Sequence, residues 1–283
     1  KWKKIFIGLS LTFLITFVIA GGIFYNMLSS SLPQYTGEIS SSKITSNIEV
    51  YRDSFAVPYI IADSDEDVAF ALGYLHAQER LFTMDLIRRA GEGRLSEILG
   101  EKAIPFDKMF RTVGIKRNIS KNLYKYDPTV MKILQAYSNG VNEFLKERKG
   151  NYAIEFDVLG YQPEQWKPIH SLIVIKMMAW ELNISWWTDL SFAELIQKLG
   201  TEKVLEILPD YPQNAPTIIA DNFKYLPAIN STLVETDKAF RQMMGWTGTH
   251  IGSNNWVVNA NKSVSGKPII ANDPHLAFSA PGK

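Results

Sequence analysis

From Ile5 to Leu28 the chain runs without one charged residue, and this stretch restricts the rest of the fold more than any other. In hydrocarbon only a helix satisfies the backbone polar groups of a single segment. At 1.5 Å rise per residue, a helix of this length crosses about 30 Å of bilayer. Lys1, Lys3 and Lys4 precede the run, and no Lys or Arg follows it until Lys43. The positive-inside rule then puts the N-terminus in the cytoplasm and the body outside it, at the cell surface or in the periplasm. Residues 1–28 are therefore expected to be a cytoplasmic tip and transmembrane anchor. The competing reading is a cleaved signal sequence, which would leave a secreted body. The apolar core of a signal sequence usually has only about 7–15 residues, and no clear small-x-small site stands at the right distance.

Residues 29–46, rich in Ser, Thr, Gly and Pro, read as a linker. The remaining chain is globular in composition, with 46% hydrophobic residues overall. A net charge near +1 argues against a nucleic-acid partner, and the absence of Cys removes disulfides, thiolate metal sites and thiol nucleophiles. Ile48–Arg52 and Val57–Ile61 read as two strands joined by a turn at Asp53-Ser54. The acidic cluster from Asp63 to Asp67 suits the start of a long helix. Val68, Ala71, Leu72, Leu75, Phe82 and Leu86 are expected on its core face, and Ala90-Gly91-Glu92-Gly93-Arg94 is expected to interrupt it. A short helix ending at Gly100 follows. Phe106 to Lys149 reads as mostly helical, with Asp127-Pro128 as a break or N-terminus. After loops at Tyr161-Gln162-Pro163 and Trp166-Lys167-Pro168, His170 to Trp187 reads as a buried helix, and another runs to Leu199-Gly200. Between Pro209 and Gly252 no period is sustained, which marks a linker, a lid or a removed segment.

Gly252-Ser253 opens an alternating, β-prone run, and Ser265-Gly266-Lys267-Pro268 turns it toward Ile269-Ile270-Ala271. A serine needs a base to take its proton. Cutting the chain before it would provide one, since a free α-amine has a pKa of roughly 7.7–8.0. Taken alone, a Gly-Ser before a strand is more simply a turn.

Three stretches together resemble the penicillin acylase (penicillin amidase) family of N-terminal-nucleophile hydrolases. They are Val50-Tyr51-Arg52-Asp53 leading to Val57-Pro58-Tyr59-Ile60; Ala71 to Asp85 followed by Gly93 to Gly100; and Gly252-Ser253-Asn254-Asn255-Trp256-Val257-Val258 with Asn272-Asp273-Pro274-His275-Leu276. The resemblance implies an α+β fold: an α-chain-like, mostly helical region over 47–212 and a spacer-like segment over 213–252. The first strands of an αββα sandwich would begin at 253–283. It also implies that the chain is an N-terminal fragment of a precursor, inactive alone, with the oxyanion asparagine beyond Lys283.

On that resemblance the expected chemistry is hydrolysis of small N-acyl amides. Cleavage between Gly252 and Ser253 would make Ser253 both nucleophile and, through its freed α-amine, base. His275 and Asn272 are expected near the site. Met178, Glu181 and Leu182 are expected to frame the acyl pocket, and Asp189 to supply a carboxylate to a structural calcium ion shared by the α and β chains. No organic cofactor is implied. Penicillin G acylases carry an Arg-Phe pair where Glu181-Leu182 stands, and a carboxylate there disfavours an anionic penicillin. Acyl-homoserine lactones and N-acyl peptides remain open as substrates.

Other residues have plainer readings. His76 is expected to be a packing histidine, and His170 and His250 have no metal-ligand spacing. Trp180, Trp186 and Trp187 are candidates for the acyl pocket, with core packing as the alternative. Arg88, Arg89 and Arg94 are expected to form structural ion pairs. A catalytically silent, membrane-anchored scaffold on the same fold is the second functional reading. A serine hydrolase of the Gly-x-Ser-x-Gly type is disfavoured because that elbow is missing.

Overall fold

The computed structural model describes residues 2–183, 185–207, 231–246 and 252–275. The Pro-punctuated stretch 208–230, His250 and Leu276 lie outside the described residues, as does the side chain of Trp187.

α1 (Trp2–Ser31) is one continuous helix, long and apolar enough to cross a membrane, with no buried residue. It runs three residues into the expected linker. The rest of that linker is a strap fastened along the body. The Arg148 guanidinium donates to the carbonyls of Ser30 at 2.5 Å and Leu32 at 3.0 Å, closing off the C-terminus of α1. Gln78 Nε2 donates to Gln34 O at 2.8 Å, and the Arg52 guanidinium lies 4.3 Å from the centre of the Tyr35 ring. At the far end the Asp67 carboxylate accepts from the backbone and hydroxyl of Thr45 and Ser46, at 2.5 to 3.2 Å. Burial pushes that carboxyl up, but the hydrogen bonds from Thr45, Ser64 and Ser46 outweigh it and hold it at about 2.

β1 (Glu49–Arg52) and β2 (Pro58–Ile61) form an antiparallel pair, with Glu49 opposite Ile61. Asp53 Oδ1 builds the turn by accepting from the backbone of Phe55 and Val57. α2 (Asp65–Glu92) is capped by the Ser64 hydroxyl, which accepts from Asp67 N, and it kinks at Arg80. The expected interruption at Ala90–Arg94 moves to its last residues. The helix continues through Ala90, Gly91 and Glu92 and ends at Gly93, whose φ of 67° is the left-handed cap that glycine takes most cheaply.

The expected core face of α2 also shifts. Ala71 and Leu75 are buried, but Val68 and Leu72 are 36% and 37% exposed. The buried stripe passes through Phe70, Gly73, Tyr74, Ala77, Leu81, Met84, Asp85 and Arg88. Small and charged residues build this face, so hydrophobicity alone cannot find it.

Next come α3 (Ser96–Leu99), α4 (Ile104–Val113), α5 (Ile115–Asn122) and α6 (Pro128–Glu147). Asp127 caps α6 by accepting from Thr129 N, as the Asp-Pro pair suggested. α6 lies against α2 with backbone nearly touching backbone. A Cβ at Gly73 would stand 2.1 Å from Tyr137 O, and one at Gly140 would stand 1.9 Å from Phe70 O. α7 (Ile154–Leu159), α8 (Pro168–Leu182), α9 (Ser185–Leu199) and α10 (Thr201–Leu205) complete the run. α8 is buried on one side only, through His170, Leu172, Ile173 and Met177.

The segment expected to lack structure contains α11 (Ser231–Met243). Its Phe240 is fully buried, 4.7 Å centre to centre from Phe110 and 5.4 Å from Trp246. β3 (Gly252–Val258) and β4 (Ile269–His275) then form the second antiparallel hairpin. The described residues are thus mostly helical, with two separate two-stranded hairpins. A packed sandwich is not among them.

A buried ionic cluster ties α2 to the loop before α8. Arg88, 1% exposed, pairs with Asp85 and with Glu92 at 2.9 Å. Arg89 pairs with Asp85 at 2.8 Å and Glu97 at 2.7 Å, and Arg94 reaches Glu164 at 2.6 Å. The three arginines are structural, as expected from their place around the glycines.

Candidate active site

Strand pairing in the second hairpin fixes the surroundings of Ser253. Ser253 stands opposite Pro274, Asn254 opposite Asp273, and Asn255 opposite Asn272. Side chains directly opposite each other share a face, and successive residues alternate. Ser253, Asn255, Asn272 and Pro274 therefore occupy one face, while Asn254, Asp273 and His275 occupy the other. The His275 ring lies 2.9 Å from Asp273 Oδ2 and 3.4 Å from the Asn254 amide nitrogen. Asn272 shares the Ser253 face, whereas His275 approaches Ser253 through backbone, its residue pairing with Gly252. Within residues 1–283, Ser253 is solvent-exposed.

Met178, Glu181 and Leu182 come together on α8, as residues three and four apart on a helix must. Met178 and Leu182 are 52% and 54% exposed, and Glu181 is partly buried. Beside them the Trp180 and Trp186 rings stack at 4.6 Å. Two residues that sequence patterns did not single out hold this end of α8. Arg241 Nη1 donates to Glu181 O at 2.9 Å, and its Nη2 donates to Trp180 O at 3.0 Å. Asp237 accepts from Trp180 Nε1 at 2.9 Å and pairs with Arg241 at 2.7 Å. The available signal was the i,i+4 spacing of Asp237 and Arg241 around Phe240.

Asp189 stands exposed on α9. Among the described residues no three His, Cys, Asp or Glu side chains gather as a metal ion requires, so Asp189 alone does not make a calcium site. His76 packs against Tyr137, its Nδ1 3.0 Å from the hydroxyl, and burial and then Arg80 push its pKa down. A cleft of about 870 Å³ lies between the strap, β1 and α2, lined by Tyr35, Arg52, Tyr74, Gln78 and Glu147 among others. None of the expected site residues borders it.

Residues 47–283 match the family model of penicillin amidase. The chain is 30% identical over 257 residues to the acyl-homoserine lactone acylase QuiP of Pseudomonas aeruginosa, covering 89% of this chain and 30% of that protein. It is 32% identical over 266 residues to the penicillin acylase 2 proenzyme of Pseudomonas sp. strain SE83, covering 90% of this chain and 33% of that one. A thermostable penicillin G acylase from Alcaligenes faecalis, of known structure, superposes with a TM-score of 0.49 at 25% identity, over 62% of this chain and 98% of that chain. The chain spans about a third of the length of the two curated relatives. With the family match running unbroken from the first hairpin past Ser253, the chain belongs to the penicillin amidase family.

Proposed function

We propose that the protein bearing this chain is an extracytoplasmic acyl-amide hydrolase, matured by its own cleavage before Ser253. The observation carrying this reading is the family match across residues 47–283, which includes Ser253 and both strands of its hairpin. In maturation the Ser253 hydroxyl attacks the Gly252 carbonyl and the peptide bond passes to an ester. Water then hydrolyses the ester, leaving a carboxylate at Gly252 and a free amine on Ser253. In turnover Ser253 Oγ attacks the substrate amide carbonyl while the α-amine takes its proton and delivers it to the departing amine. Water releases the acid from the acyl-serine.

The substrate class is small N-acyl amides whose amine portion carries no carboxylate. Glu181, at the pocket end of α8, disfavours an anionic partner nearby. α1 serves as the anchor in this reading, by its length and apolarity. A structural calcium ion would need carboxylates in addition to Asp189, and no step depends on it.

The test uses the full-length protein. Intact mass and N-terminal sequencing should find a second chain starting Ser-Asn-Asn-Trp, and a panel of N-acyl amides should be hydrolysed. An intact chain with no turnover would point to a silent scaffold. Penicillin G as the best substrate would overturn the charge argument at Glu181.

A further inference from the structure

We propose that the body of the protein is seated on the outer leaflet of the membrane in one fixed orientation, with the C-terminus of α6 and α7 against the lipid headgroups, and that Arg148 locks it there. This rests on α1 remaining in place as an anchor.

A hydrocarbon core of about 30 Å takes up about twenty helical residues. Counted from Ile5, that places Tyr25 at the outer boundary and Met27 to Ser31 among the headgroups. Aromatic residues mark the same levels, since Trp and Tyr gather at both membrane surfaces. Trp2 and Tyr25, 84% and 73% exposed, stand near the two ends of the uncharged run. Burial along α1 changes at the outer level too. Residues 2–26 are all exposed, and Met27, Ser30 and Ser31 are the ones that lose part of their exposure. The body thus packs on the final turn of α1, where the hydrocarbon ends, and leaves the rest bare for lipid.

The attachment is stiff. A free linker over residues 32–46 would let its ends wander by about 20 Å. Instead Arg148, the residue closing α6, donates directly to the carbonyls of Ser30 and Leu32, and α7 touches α1. Farther along, the Ser41 hydroxyl donates to Glu143 at 2.9 Å, and the contacts of Gln34, Tyr35, Thr45 and Ser46 hold the strap to β1 and α2. Height and orientation are both fixed, so the same face always meets the bilayer. Each of these partners precedes Ser253, and cutting there leaves them in one chain.

That face carries Lys146 and Lys149, both exposed, and Val158 of α7, which is 72% exposed. Long lysine stems beside a single apolar side chain suit the headgroup layer, where the stems lie along apolar surface and the charges stay in water. Glu147, Glu155 and Asp157, also exposed, offset Lys146, Arg148 and Lys149. The seat therefore comes from the clamp and not from attraction to anionic lipid.

The test uses the full-length protein in phosphatidylcholine vesicles that carry a nitroxide on the headgroup. A fluorophore is attached at Val158→Cys or at Tyr124→Cys, in a background otherwise free of reactive cysteine. Tyr124 is 81% exposed and lies just before the N-terminus of α6, the end opposite Arg148. Quenching at Val158 and none at Tyr124 is expected, to the same degree when the vesicles also contain phosphatidylserine. Equal quenching at the two sites, or quenching at Val158 in anionic vesicles alone, would overturn the inference. Inserting about ten Gly and Ser residues after Leu32 should leave the Val158 signal intact, because Arg148 still grips the helix, and adding Arg148→Ala should abolish it. Loss on insertion alone, or persistence in the combined variant, overturns Arg148 as the lock. Should the combined variant fail to fold, the contrast between Val158 and Tyr124 in the parent decides. A protein held in the vesicles by α1 but unquenched at Val158 refutes the seat and leaves the anchor standing, whereas a soluble protein that has lost α1 removes both.

Discussion

Replacing Gly140 by alanine should weaken the fold, although alanine is the better helix former by about 1 kcal/mol. A Cβ at Gly140 would meet Phe70 O at 1.9 Å and Tyr74 N at 2.9 Å. All of these are main-chain atoms inside a helix, so no rotamer change relieves the contact, and α2 and α6 must part by about 1 Å or more to restore ordinary separations. Inserting a methyl group into a rigid contact costs about 1–3 kcal/mol. Parting the helices also loosens pairs such as Tyr74 and Phe144, whose ring centres are 5.5 Å apart. Such a gap forfeits a quarter to a half of each dispersion contact. The steric loss exceeds the propensity gain, leaving a net cost of about 2 kcal/mol. For a body of this size that is a fall in Tm of roughly 4–8 °C. Gly73→Ala, whose Cβ would meet Tyr137 O at 2.1 Å, should behave alike. Because either substitution opens the same crossing, the double variant should lose less than the sum of the two. Thermal unfolding of the four proteins by near-ultraviolet circular dichroism is the assay. A Tm for Gly140→Ala equal to or above the parent would refute the reasoning.

The remaining expectations concern charge and chemistry. His170 is 5% exposed, and burial, then Arg88, push its pKa down to about 4, while Glu92 and Glu164 pull it up and Lys167 pushes it down further. Its neutral ring accepts from Lys167 N, so stability should be full above about pH 6.5 and fall as pH drops toward 4. Urea midpoints across that range should flatten in His170→Gln, and an unchanged slope would exclude His170 as the cause. Asp85 faces Arg88, Arg89 and the Tyr161 hydroxyl, so Asp85→Asn should cost about 3 kcal/mol by leaving buried guanidinium groups short of charge. Glu164→Gln, at a side chain 40% exposed, should cost under about 1 kcal/mol in the same denaturant titration. Ser253→Ala should keep the parent stability to within about 0.5 kcal/mol, since Ser253 is exposed, while abolishing both the two-chain product and amide turnover. Residual hydrolysis at parental rate would remove Ser253 from the chemistry.

Local patterns determined a good part of this protein. An uncharged run long enough to span hydrocarbon could only be helical, Asp127-Pro128 carried its cap in its side chain, and the turn residues between Ser253 and Ile270 left one hairpin available. These signals live within a few residues of the groups they govern. Tertiary structure decided the rest, where the partner is distant in sequence. Gly73 and Gly140 resemble helix weaknesses until α2 and α6 are laid together, and Val68 and Leu72 resemble core until Gly73 and Tyr74 take the inner face. α11 is hidden among polar residues because its anchors, Phe240 and the Asp237–Arg241 pair, acquire meaning only against Phe110 and the open end of α8. Even the face on which His275 lies followed from register, since period-two alternation reads out a side only once the opposing strand is known.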